Sequence, residues 1–505
     1  MGRRPALVQL PLSCPYYFTH RHAAHPEVAA ITSTDTNIPA RLDRLPWSAW
    51  HWRVVIALGV AWMLDGLEVT LVGSFGSILE RPETLGLTAT DVGLAGSLYI
   101  AGAVIGALVF GRMADVWGRK KLFLVTLAVY MLATLATGFS TETWFFLLCR
   151  FATGLGIGGE YAAINSAIDE LMPARVRGRV SLAINGSFWL GAALGAGLSL
   201  LVLDEALIPV EWGWRLGFIL GAVLAIAIAL VRRDVPESPR WLLTHGRIQA
   251  AEDIVADIER RVHRQYGILP AVPVAAGVSM GWRAPPRLAE IMQVLLHTYR
   301  RRSVVALALM VSQAFFYNAI FFTYALVLTR FYAVPDTLVG LYIFPFALGN
   351  VLGPLLLGPL FDRIGRRKMI ALTYVLAGIG LALTGWAFMA GLLDARSQAL
   401  CWSLVFFLAS AAASSAYLTV SEVFPLEMRA LAISLFYAVG TGAGGLAGPL
   451  LFGALIETGE RWAVVAGYGL GALLVIAAGL IALRYGVDAE RRALEDIAPA
   501  LTGRR

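Results

Sequence analysis

Charge is scarce in this chain. Only 15% of its 505 residues are Asp, Glu, Lys or Arg, against about a quarter in soluble domains. Lysine is nearly missing, with Lys120, Lys121 and Lys368 the only three among 41 basic residues. Cysteine is as sparse. Cys14, Cys149 and Cys401 lie far apart with no metal-ligand spacing and read as structural or inert. There is no glycine-rich phosphate loop and no nucleophile motif, so neither ATP-driven transport nor covalent catalysis has support. The chain reads as a non-enzyme that needs no cofactor and no metal. Residues 1–50 lack the charged, apolar and cleavage regions of a signal peptide and read as a polar tail.

What is abundant is apolar sequence, at 58% hydrophobic, together with 51 glycines. A soluble core cannot absorb that fraction, but a bilayer can, and about 20 helical residues cross its hydrocarbon layer. Backbone groups in lipid must pair within the segment, so the spans are expected to be helices. Glycine lets such helices pack closely.

Twelve spans are expected, near 53–79, 92–112, 122–140, 144–168, 180–203, 215–231, 303–329, 337–360, 370–391, 400–421, 430–455 and 462–484. The organisation that follows is a tail at 1–52, a six-helix bundle at 53–231, a polar loop at 232–302, a second bundle at 303–484 and a tail at 485–505. With both termini cytoplasmic, the basic residues sort cleanly. Arg81, Arg215, Arg330, Arg396 and Arg461 fall outside and Arg150 within a span, while the other 35 of the 41 face the cytoplasm. That is the positive-inside pattern of a multi-pass plasma-membrane (inner-membrane) protein. It accounts for the net charge of +7 without nucleic acid. The expected partners are lipid, protons and a small-molecule substrate, and the chain is expected to be monomeric.

The two halves repeat. Gly111-Arg-Met-Ala-Asp115-Val-Trp-Gly118-Arg119 between spans 2 and 3 returns as Gly358-Pro-Leu-Phe-Asp362-Arg-Ile-Gly365-Arg366 between spans 8 and 9. Glu170 and Arg177 after span 4 return as Glu422 and Arg429 after span 10. Two motif pairs at nearly one offset indicate a duplicated unit. Asp115 and Glu170 sit where Arg119, Arg177 and a helix terminus can pair with them, forming a latch that breaks in another state.

These loops and the six-plus-six layout resemble the major facilitator superfamily over residues 53–484. Pro236-Glu237-Ser238-Pro239-Arg240-Trp241-Leu242 after span 6 is similar to the sugar-porter signature. Gly156-Ile-Gly-Gly-Glu160 and Asp65-Gly66-Leu67-Glu68 resemble the neighbouring nicotinate, aromatic-acid:proton and synaptic-vesicle-two-like group. The resemblance implies an all-α, twelve-helix rocker-switch carrier with a central site between its halves.

Four ionisable residues lie deep in the spans, all in the first half: Asp65, Glu68, Arg150 and Glu160. Such residues are costly there and point to function. Asp65 and Glu68 share a helix face at i, i+3, and neighbouring carboxylates in low dielectric cannot both ionise cheaply. Glu68 and Arg150 reach similar depths and match the coupling acid and arginine of proton-coupled sugar porters. Three readings stay open: a proton switch, a permanent structural pair, or substrate binding by Arg150. Glu160 suits helix packing against Asn165 or Asn185 as well as it suits transport.

For substrate, Gln313 and Asn318 in span 7 match the spacing of sugar-binding amides, and Asn185 falls at a pocket-amide position of span 5. Amides offer donor and acceptor together, though an interhelical bond is the plain alternative. Tyr317, Phe322 and Tyr417 add aromatic surface. Against the resemblance, a second pocket glutamine is replaced by Ala192 and a sugar-stacking tryptophan by Ala412. The expectation is therefore uptake of a small organic metabolite such as an organic or aromatic acid, with protons. A sugar:proton symporter or facilitator is the alternative, and a non-transporting sensor on the same fold is the competing class. Gly448-Pro449 in span 11 is expected to kink the helix.

Overall fold

The computed structural model describes residues 33–204, 206–232, 235–272, 278–281, 288–321, 323–334 and 340–499. Twelve long helices dominate it. In the first half they are Ala49–Leu79, Ala89–Trp117, Arg119–Gly138, Thr143–Leu171, Arg177–Val202 and Val210–Arg232, here spans 1 to 6. The second half repeats them. Spans 7 to 10 are Arg300–Phe321, Ile343–Arg363, Arg366–Met389 and Ala395–Val423, span 11 runs from Arg429 to Glu457 in several pieces, and span 12 is Arg461–Tyr485. Among the described residues, ten of these are long and apolar enough to cross a membrane. Span 4 falls outside that ten. It carries Arg150, Glu160, Asp169 and Glu170 along one helix, so its hydropathy is low although its interior is buried.

The ends follow local chemistry. Thr88 accepts from the Asp91 amide while Asp91 returns a bond to the Thr88 amide. Asp394 and Ser397 do the same for span 10. Such capping boxes satisfy the first orphan donors of a helix. Two expected spans are not continuous. Span 7 ends at Phe321 and resumes as Tyr324–Tyr332, and the Thr323 amide between them turns to the Ile320 carbonyl, a tighter bond three residues back. Span 11 holds a π turn at Thr441–Gly445. Pro449 has no N–H to give the Gly445 carbonyl, and the ladder widens just upstream of it.

Spans 1 and 5 lie almost backbone to backbone. A Cβ built on Gly66 would sit 1.9 Å from the Phe188 carbonyl, and one on Gly191 would sit 1.7 Å from that of Met63. This reciprocal approach fixes the height of span 5 against Asp65 and Glu68.

The twelve helices carry a polar cap at the face bearing the repeated loops. Here Ser33–Thr36 pairs antiparallel with Val278–Gly281, a small ribbon that an all-helix reading does not anticipate. Arg41 and Arg44 of the first segment bind Glu259 of helix Ile248–Tyr266 at 2.7 and 2.5 Å. Burial opposes ionisation of Glu259, but these two guanidiniums hold its carboxyl below the usual range. Asp43 accepts from the Ala174 amide and reaches Arg240 at 3.6 Å and Arg177 at 3.9 Å.

Candidate functional site

Glu68 and Arg150 meet, as their depths predict. Arg150 Nη1 donates to Glu68 Oε1, and both side chains are about 1% exposed. The guanidinium lies over the Tyr99 ring at 5.1 Å and near Phe218 at 5.7 Å. The pair is incompletely served: Glu68 Oε2 and Arg150 Nε have no hydrogen-bond partner. Aromatic faces solvate the cation but give the carboxylate nothing. A buried ion pair repays its desolvation only when its remaining lone pairs and protons are satisfied. This one leaves one carboxylate oxygen and one guanidinium nitrogen unserved.

Asp65 is buried on the same helix, and Trp62 one turn before it opens into the central cavity. That cavity holds about 190 Å³ between the halves. Of the expected substrate residues, Asn185, Gln313, Tyr317, Asn318 and Tyr417 line it. Phe322 lies outside the described residues. Glu160 is buried but is not in the wall. Its neighbour Tyr161 takes that place, because successive residues point about 100° apart around a helix. Asn165 and Asn185 bind each other at 3.3 Å, and the Asn185 amide also donates to the Ser181 carbonyl at 2.8 Å.

The wall also contains residues that sequence reasoning missed: Trp62, Tyr161, Phe188, Trp189, Ser410 and Ser414, beside Phe321 of span 7. Trp62 meets Tyr161 edge-on at 4.5 Å, and Tyr161 stacks parallel to Tyr417 at 6.2 Å. Trp189 packs on Tyr317 at 5.8 Å and Phe321 at 5.2 Å. The Tyr317 hydroxyl donates to Asn350 at 2.6 Å, and the Asn318 amide donates to Ala314 at 2.7 Å. No Lys, Arg or His is among the wall residues described.

The repeated loops close the molecule below this cavity. Gly118 and Gly365 turn with φ of +97° and +117°, a region that favours glycine. Arg119 binds Glu170 at 2.8 Å and Asp115 at 3.4 Å. Arg366 binds Glu422 at 3.0 Å and Asp362 at 2.7 Å. Each aspartate then crosses to the other half. Asp115 accepts from the Ala430 and Leu431 amides at 3.4 and 3.1 Å, opening span 11. Asp362 accepts from the Gly178 and Arg179 amides at 3.1 and 2.9 Å, opening span 5. A carboxylate at a helix N-terminus gains both hydrogen bonds and dipole.

One expected pairing is corrected. Arg177 does not bind Glu170. It reaches Glu422 at 3.6 Å, while Glu170 is approached by Arg429 at 3.7 Å. Spans 5 and 11 start at the seam, so their first arginines lean across it. The signature after span 6 joins this network. Glu237 accepts from the Arg119 amide at 2.9 Å, Trp241 donates to the Asp115 carbonyl at 2.9 Å, and Arg240 binds Glu495 at 2.8 Å and the Glu170 carbonyl at 2.6 Å.

Twelve helices in two related bundles, latched at one face around a central cavity, define a carrier of the major facilitator superfamily. The chain belongs to the family described as "Sugar (and other) transporter", whose model matches residues 70–485. It is 27% identical to the niacin transporter NiaP of Acinetobacter baylyi (strain ATCC 33305 / BD413 / ADP1), covering 91% of this chain and 99% of that protein. It is 26% identical to the 4-hydroxybenzoate transporter PcaK of Pseudomonas aeruginosa (strain PAO1), covering 70% and 75%. Its fold matches the proton:xylose symporter XylE bound to 6-bromo-6-deoxy-D-glucose, with a TM-score of 0.71 at 17% identity over 88% of this chain and 98% of that one.

Proposed function

We propose that this carrier takes up a small planar aromatic acid together with protons, by alternating access, with both termini in the cytoplasm. The observation that carries the reading is the buried, half-satisfied Glu68–Arg150 pair, on the same helix as the cavity's Trp62. Protonation of Glu68 removes its attraction to Arg150 and frees span 1 from span 4.

The cavity supports a flat ligand. Two aromatic groups, Trp62–Tyr161–Tyr417 and Trp189–Tyr317–Phe321, face it, and its volume is below the 300–1,000 Å³ of typical drug-sized sites. Gln313 and the Ser410 and Ser414 hydroxyls supply neutral polar contacts. An anion entering walls without a cation is unfavourable, so a proton carried with each carboxylate keeps the loaded cavity neutral. The names of the NiaP and PcaK relatives support an aromatic acid, and that of XylE supports proton symport.

The test is uptake into proteoliposomes with labelled nicotinate or 4-hydroxybenzoate. Accumulation driven by an acid exterior, and collapsed by a protonophore, is expected. Equal entry with and without the pH gradient removes coupling. Competition by xylose or inositol but not by aromatic acids moves the substrate to sugars.

A further inference from the structure

Five carboxyl side chains are buried at the latch seam: Asp115, Asp169, Glu170, Asp362 and Glu422, each at most 4% exposed. Four are served by the repeated arginines. Asp115 and Glu170 share Arg119, Asp362 and Glu422 share Arg366, and Arg429 and Arg177 add a second contact to Glu170 and Glu422. Asp169 is the fifth. It is fully buried, and neither of its carboxyl oxygens has a hydrogen-bond partner.

The groups around it come from every helix that meets span 4 at the seam. Glu422 and Ser421 face it from span 10, Arg177 from the start of span 5 and Arg429 from the start of span 11. Asp115 and Arg119, from spans 2 and 3, bear on its neighbour Glu170, and Arg240 of the signature after span 6, paired with Glu495, donates to the Glu170 carbonyl. Ser421 gives its proton to the Leu418 carbonyl at 3.0 Å, and turning that hydroxyl to Asp169 supplies a single donor for two carboxyl oxygens. The repeat makes the excess plain. At the offset of 252 that relates Pro173 to Pro425, Asp169 corresponds to Ser421. The second half manages the same seam without this carboxyl.

A fully buried carboxylate with at most one shared donor is disfavoured, whereas its neutral acid is tolerated. We propose that Asp169 is a proton-binding site of the gate: it holds a proton while the seam is closed and releases it when the seam opens to water. Closing then binds one proton from the solution on the latch side, converting carboxylate to carboxylic acid with no other bond changed. This proton is distinct from the one at Glu68 and need not cross the membrane. Acid on the latch side holds the carrier shut, a brake on import into a compartment already acidified. The inference rests on the alternating-access reading.

The experiment reads the gate directly, without substrate and without a gradient. Spin labels are placed at Lys121→Cys and Lys368→Cys, both exposed and in opposite halves, with the three native cysteines replaced by serine. One-proton linkage makes the open-to-closed ratio rise tenfold per pH unit between the two protonation midpoints. Asp169→Asn and Asp169→Ser should each flatten that dependence, the serine reproducing the residue of the second half. Either folded variant decides. A wild-type ratio independent of pH, or a variant that keeps the full slope, overturns the proposal. Accumulation with a flat gate sinks this inference alone, and a sloped gate without accumulation sinks only the coupling.

Discussion

At the scale of residues, the Glu68–Arg150 pair leaves Glu68 Oε2 without a donor. Glu68 and Arg150 stand out because an ionisable group inside an apolar run has few reasons to be there. Glu68→Gln should abolish accumulation driven by pH while leaving substrate exchange intact, since the neutral amide mimics the protonated acid. Normal pH-driven accumulation in that variant returns the pair to structure. Arg150→Ala strands a buried carboxylate and should cost roughly 3–5 kcal/mol of stability, impairing exchange as well. A thermal melt and a counterflow assay read both effects.

Trp62, Tyr161 and Trp189 were invisible by contrast, because an aromatic on an apolar helix looks the same facing lipid, core or ligand. A signal did exist. Trp189 stands four residues after Asn185 and Trp62 three before Asp65, spacings that put each on the face of a polar residue. Trp189→Ala should raise the apparent KM for an aromatic acid by roughly tenfold, about 1.4 kcal/mol, with little change in the pH dependence of uptake. An unchanged KM would make Trp189 a packing residue.

At the scale of elements, apolar runs located all twelve helices, with ends mostly within five residues. What they missed was discontinuity. Nothing apolar distinguishes Phe321 from Tyr324, where the Thr323 amide turns three residues back to the Ile320 carbonyl. The polar segment before span 1 was equally opaque as a tail, since only the folded chain brings Asp43 to Arg240 and Arg177.

That segment is a strap across the gate, and its anchor has a defined pH sense. Glu259 is held below its ordinary range by Arg41 and Arg44 against the opposing effect of burial. Its contribution is therefore fully present above the unfolded carboxylate range and is lost as pH falls through the depressed value. Hydrogen-exchange protection of residues 38–44, corrected for the intrinsic rate at each pH, should fall in acid. Glu259→Gln should lower that protection at neutral pH and flatten its acid dependence. Undiminished protection in that variant would assign the anchoring to the ribbon instead.

At the scale of the whole molecule, the decisive feature is that the two halves hold each other by exchange. Asp115 of the first half caps span 11, and Asp362 of the second caps span 5. The repeat was legible as an offset between motifs, but an offset cannot say which half a side chain faces. That is why Arg177 was expected on Glu170 and sits instead on Glu422. The exchange also dictates where the seam is most intolerant of bulk. A Cβ on Gly111 would lie 1.9 Å from the Ser434 hydroxyl oxygen and 3.2 Å from the Ala430 carbonyl, so spans 2 and 11 close without room for a side chain. Gly111→Leu should therefore wedge the latch apart. The expected protein folds, because Gly111 meets span 11 of the opposite half, but its gate labels stay at the open distance at every pH. Substrate should still bind from the latch side while net uptake falls to background. Normal uptake with a closed label distance would mean that the seam seen here is not a state of the working cycle.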